Sequence, residues 1–151
     1  MVCFFIYIIG DIMARCSFST NELGMLARLM RAEAVGEGVF GMQLVGNVVI
    51  NRVVAKCNEF KNQRTITKVI NAKNAFDGTK SKLYKSGATA KERKYALRCI
   101  EYWRADPATY ALFFYAPGKG KKCKTKFYGP YAGRFKNHCF YRPTSTKSCK
   151  I

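Results

Sequence analysis

The chain has 151 residues, a net charge of +18, 48% hydrophobic and 14% aromatic content. That is long enough to bury a core and too apolar for an intrinsically disordered protein. The acidic residues stop at Asp106 and ten Lys and Arg follow it, so the C-terminal part carries an uncompensated positive field that attracts polyanions: nucleic acid, anionic membrane or anionic wall polymers.

The N-terminal run VCFFIYII holds eight apolar residues, far below the ~20 of a membrane span. It lacks the basic lead of a signal peptide, and Arg15 before Cys16 does not suit lipoprotein processing. Met13 offers an alternative start. Residues 1–18 are therefore read as an extension without function, short of order or untranslated, ahead of one domain over 19–151. No membrane insertion is expected.

Ser19 and Glu22 form a capping box that opens a helix, and Leu23, Leu26, Ala27, Met30 and Ala34 recur on its buried face. Gly36 and Gly38 end it. Gly41 to about Cys57 reads as a second helix, apolar nearly all round and hence central. Residues 58–88 are turn-rich, with a short helix over Ile66 to Asn71 and an NAFDG turn, Asn74 to Gly78, that shows one aromatic outward. Thr89 and Glu92 cap a further helix running to Trp103, a core residue, before the Asp106-Pro107 stop. Tyr110 to Tyr115 and Asn137 to Tyr141 are strand candidates on either side of a lysine-rich loop. The class is α+β, helices first and a small sheet late.

Seven cysteines without a CxxC pair read as free thiols in a reducing compartment, with a secreted disulfide set as the alternative. Cys123, His138, Cys139 and Cys149 are the conceivable zinc set, but their spacing matches no common site, and no metal is expected.

Glu33 has two readings. It is a surface glutamate paired with Arg28 or Arg31, or, three residues after Met30, a carboxyl bordering the buried face. Partial desolvation there raises its pKa and suits it to general acid/base chemistry. Glu37, flanked by Gly36 and Gly38, reads as structural, accepting backbone N–H bonds or pairing with Arg52.

The pattern A-R-L-x-x-x-E-A-x-G-E, followed by V-x-N-V-V-x-N-R-V, resembles the SleB/CwlJ-type cell-wall hydrolases, the spore-cortex-lytic enzymes and their phage relatives. Phe76 near a turn, ALFFYAP at Ala111 to Pro117 and NHCFY at Asn137 to Tyr141 continue the resemblance in order. It implies a lysozyme-like fold, mainly helical, with a small sheet lining a glycan cleft, and one catalytic domain over 19–151.

It also implies peptidoglycan as substrate, Glu33 as catalytic acid, no cofactor, and lytic transglycosylase action after N-acetylmuramic acid. A hydrolytic muramidase or glucosaminidase is the alternative, with Asp77 as its best second carboxylate. Phe76, Tyr115 and His138 are candidate substrate-binding residues, each with a packing role as the plainer reading. Asn51 and Arg52 are candidate supports for Glu33 or Glu37. The expected site of action is the bacterial wall or spore cortex. Without a convincing signal peptide, the enzyme is cytoplasmic until release by phage lysis, or virion-associated. A monomer is expected, holding anionic wall polymers on its basic surface. A basic nucleic-acid-binding protein is the alternative of another class; its charge and interleaved aromatics fit, but no specific nucleic-acid motif is present.

Overall fold

The computed structural model describes residues 14–145 and 149–151. The apolar run, Met1, Cys3 and Met13 lie outside the described residues. Five helices precede a three-stranded sheet: α1 (Thr20–Ala34), α2 (Gly38–Val54), α3 (Ile66–Asn71), α4 (Lys82–Lys85), α5 (Ala90–Glu101), then β1 (Phe113–Tyr115), β2 (Tyr131–Phe135) and β3 (His138–Tyr141). Three single turns of 3-10 helix, Val35–Glu37, Asn58–Phe60 and Asp77–Lys80, fill connections between them.

Both expected capping boxes form, Ser19 with Glu22 on α1 and Thr89 with Glu92 on α5. The box satisfies two otherwise orphaned N–H groups at each helix start. At the other end of α1 the chain runs through the Val35–Glu37 turn, and Gly38 at φ 77° redirects it into α2. A left-handed backbone of that kind is open to glycine at little cost. Helix α2 is central, as its all-round apolarity implies, with every residue from Gly41 to Val53 buried. It packs between α1, α3 and α5 and also meets β1.

Two buried asparagines on α2 hold the loop that leads to the sheet. Asn47 donates to Trp103 O and accepts from Ala105 N, while Asn51 donates to Ala108 O and Ala111 O. These contacts satisfy backbone groups where no regular element can, as buried polar atoms require. Trp103 is half-buried rather than fully enclosed, its ring meeting Phe40 edge-on at 5.4 Å.

The sheet order is β1-β3-β2, all antiparallel, with Phe113 opposite Tyr141 and Phe135 opposite His138. Strand β2, like the short helix α4, is an element that sequence patterning misses. Its YAGRF carries a central glycine and a register shift between Tyr131 and Gly133, so no alternation marks it. Residues 14–18 belong to the packed body: Cys16 is fully buried and Arg15 donates to Asn51 Oδ1 at 2.8 Å.

The expectation of free thiols is corrected. Cys57 pairs with Cys149 and Cys123 with Cys139, while Cys99 is a free, buried thiol and Cys16 is buried. The partners lie 92 and 16 residues apart and meet only through the fold, so spacing could not reveal them. Three of the four side chains weighed for zinc are thereby used in disulfides. Among the described residues no helix is long and apolar enough to cross a membrane.

Candidate active site

A cleft of about 540 Å³ opens between the C-terminal end of α1, the 72–77 loop and the edge of the sheet, and Glu33, Arg52, Phe76, Asp77, Tyr115 and His138 all line it. Glu33 is half-buried at the end of α1. Its Oε1 accepts the backbone N–H of Gly78 at 2.8 Å, and Oε2 has no partner among the described residues. Burial is the main cause that raises its pKa, with the Asp77 charge acting in the same direction. The Gly78 N–H, His138 and Arg52 oppose it. Desolvation wins, so the carboxyl holds its proton to higher pH than an ordinary glutamate.

The surface reading of Glu33 fails because both arginines are spent elsewhere. Arg28 donates to Tyr84 O. Arg31 is buried and gathers Leu83 O, Ser86 O, Gly87 O and the Glu92 carboxylate, latching the α4 region onto α1 and α5.

Gly78 is the residue sequence reasoning overlooked, although it closes the NAFDG turn. A Cβ there would stand 2.8 Å from Glu33 Oε1 and 3.0 Å from its Cδ. Only glycine lets the backbone N–H approach the carboxylate this closely.

Phe76, expected to face outward, is 7% exposed. It lies beneath the Arg52 guanidinium, 4.8 Å from ring centroid to Cζ, and near Phe114. The turn folds back over the α1 end to reach Glu33, which carries Phe76 inward. Tyr115 stacks on Tyr141 at 5.7 Å, and its hydroxyl accepts Lys124 N–H. That ties the lysine-rich loop to the cleft rim.

Arg52 donates Nε–H to Leu112 O at 2.7 Å, and burial pushes its guanidinium down to about 10. It does not pair with Glu37. Asn51 contacts the 108–111 backbone and Arg15 instead of either glutamate. Both departures have one cause: the residues at the end of α2 face a loop whose carbonyls need donors.

Glu37 does accept a backbone N–H, that of Asn137 at 2.8 Å, and its side-chain partner is His138, Oε2 to Nδ1 at 2.7 Å. The pair is buried, Glu37 at 4% exposure and His138 at 7%. Its residues stand 101 apart, beyond the reach of any motif. Phe60, Phe113, Phe114, Phe127 and Tyr128 complete an aromatic cleft wall. Only the FFY string at residues 113–115 hinted at it.

The family model for cell wall hydrolases matches residues 36–141, a span that takes in Glu37, Phe76, Asp77, Tyr115 and His138 and begins just after Glu33. The chain is 42% identical over 134 residues to the cell wall hydrolase CwlJ of Bacillus subtilis, covering 88% of this chain and 93% of that one. It is likewise 42% identical over 135 residues to CwlJ of Oceanobacillus iheyensis, covering 88% and 94%.

Among solved structures, the catalytic domain of Bacillus cereus SleB aligns with a TM-score of 0.66 at 25% identity, over 83% of this chain and 93% of that one. The catalytic domain of the germination-specific lytic transglycosylase SleB from Bacillus anthracis aligns at 0.67 and 25%, over 83% and 98%. The architecture is thus the lysozyme-like α+β fold of these catalytic domains. The chain belongs to the cell wall hydrolase family, peptidoglycan-cleaving enzymes of the CwlJ/SleB type.

Proposed function

We propose that the chain cleaves peptidoglycan as a lytic transglycosylase, cutting after N-acetylmuramic acid with Glu33 as its catalytic carboxyl. The observation that carries this reading is the state of Glu33: in the cleft, half-buried, one oxygen held by Gly78 N–H and the other unpaired among the described residues. Burial raises the carboxyl's pKa above that of an ordinary glutamate, the direction a general acid needs.

Glu33 gives its proton to the glycosidic oxygen as the C1–O bond breaks. The sugar's own 6-hydroxyl then bonds to C1 and returns its proton to the Glu33 carboxylate. Intramolecular capture needs no second carboxylate to activate water. The Bacillus anthracis SleB domain is described as a lytic transglycosylase, which supports the same chemistry.

Hydrolysis on this scaffold, by a muramidase or glucosaminidase route, rests on Asp77, which also lines the cleft but is exposed. Mass spectrometry of digested peptidoglycan separates the two. Anhydro ends, one water lighter than reducing ends, are expected; reducing ends alone overturn the transglycosylase. The site of action is the bacterial wall or spore cortex. Anionic wall polymers are the partners we assign to the exposed Lys119, Lys121, Lys122, Lys124 and Lys126.

A further inference from the structure

Strand β3 begins at His138, and its ring is fixed on several sides. Nδ1 lies 2.7 Å from Glu37 Oε2. The Phe114 ring meets it edge-on at 5.2 Å, and Phe140 lies at 6.3 Å. The other Glu37 oxygen accepts Asn137 N–H, and Lys136 Nζ donates to the Glu37 backbone carbonyl. The carboxylate is therefore itself anchored at the α1–α2 corner. A carboxylate that accepts on both oxygens requires a proton on the facing Nδ1, and in the neutral ring that leaves Nε2 with a lone pair. His138 lines the same cleft as Glu33, and no protein group among the described residues bonds its Nε2.

We propose that Glu37 is a positioning residue that sets the His138 tautomer, and that His138 Nε2 accepts a hydrogen bond from a hydroxyl of the sugar bound beside Glu33. The pairing is more than a strand anchor. By placing the proton on Nδ1 it also determines which hydrogen-bond role the ring offers the cleft. A site built to accept from a sugar hydroxyl rejects a ligand or a protein variant that sets donor against donor. The proposal rests on the reading that the cleft holds a glycan, but not on whether the product is anhydro or reducing.

Two variants remove the same acceptor by different routes. In Glu37→Gln, the amide oxygen stays on Asn137 N–H and the amide nitrogen faces Nδ1, so the proton moves to Nε2. In His138→Asn, the side-chain amide keeps a donor for Glu37 but has nothing at the Nε2 position. The chain has one histidine, so ¹⁵N-histidine labelling reads its tautomer without assignment. We expect an Nδ1–H ring in the wild type and an Nε2–H ring in Glu37→Gln. Both variants should keep their fold by circular dichroism and lose about tenfold or more in kcat/KM on solubilised peptidoglycan. An Nε2–H ring in the wild type overturns the proposal, as does wild-type kcat/KM in either folded variant. Failure of the wild type to cut peptidoglycan overturns the glycan reading and this proposal together. Equal cutting by wild type and variants overturns this one alone.

Discussion

Glu33 Oε1 and Gly78 N are 2.8 Å apart and 45 residues apart in sequence, so one backbone N–H from a turn orients the carboxyl at the end of α1. A methyl group at position 78 would sit 2.8 Å from that oxygen and 3.1 Å from Ala32 Cβ. Gly78→Ala must therefore push Glu33 or the turn aside. Displacement of a catalytic group by about 1 Å costs on the order of 100-fold in rate. We expect a loss of wall-clearing activity of roughly 10- to 100-fold, with the melting temperature little changed because the turn lies at the surface. Wild-type turbidity loss from Gly78→Ala would show that the contact does not orient the acid.

Glu33→Gln keeps an oxygen for Gly78 N–H but can neither give nor take the proton. Activity should fall about 10²- to 10⁴-fold. Stability should move the other way with pH. The folded protein holds the Glu33 proton more tightly than the unfolded chain, since burial raises the folded pKa. Wild type therefore loses relative stability as pH rises from the ordinary glutamate range through that raised value. The variant should melt at or above the wild type at neutral pH, with the gap closing in acid. Thermal melts at several pH values check the sign.

Asp77→Asn distinguishes a neighbour from a catalyst. The Asp77 charge helps raise the Glu33 pKa, so removing it should move the alkaline limb of the pH–rate profile to lower pH. Plateau activity should stay within about threefold, since an exposed neighbour contributes little else. Loss of the plateau by three orders of magnitude would instead make Asp77 the second carboxylate of a hydrolase.

The two disulfides should differ in worth. Cys57–Cys149 closes a span of 92 residues and Cys123–Cys139 one of 16. Loop-closure entropy gives about 4.5 and about 3 kcal/mol respectively. Serine pairs at 57/149 should lower the denaturation midpoint more than pairs at 123/139. The second pair should affect catalysis more, because Cys139 adjoins His138 and Cys123 adjoins the loop that Tyr115 holds. Equal midpoints for both variants would contradict the ordering.

Binding to purified walls should weaken steeply with salt if Lys119, Lys121, Lys122, Lys124 and Lys126 hold anionic polymers, since exposed charges are screened beyond ~8 Å at physiological ionic strength. Co-sedimentation at rising sodium chloride measures it. Salt-independent binding would remove the anionic polymer as partner.

Much of the helical half was legible in the residues. Capping boxes at Ser19 and Thr89 are local, four-residue devices, and both formed where their spacing placed them. The apolar surround of α2 made it central, and its packing against three helices agrees. Glu33 was legible as a carboxyl bordering a buried face, because helical periodicity alone relates it to Met30. Strand β2 was not legible: five residues with a glycine and a register shift carry no alternation. Nor was the placement of Phe76, whose burial depends on a turn closing over α1.

Local spacing by itself determined the capped starts of α1 and α5, the acid-free basic tail and the desolvated position of Glu33, because each depends on neighbours within a few residues. Tertiary structure alone decided the disulfide partners, the work of Asn51 and Arg52 on the 108–112 carbonyls, the Gly78 hold on Glu33 and the Glu37–His138 pair. Each of these joins groups from distant segments at hydrogen-bond or bonding distance. Such contacts follow from how the helices and sheet pack, a property that no local pattern encodes.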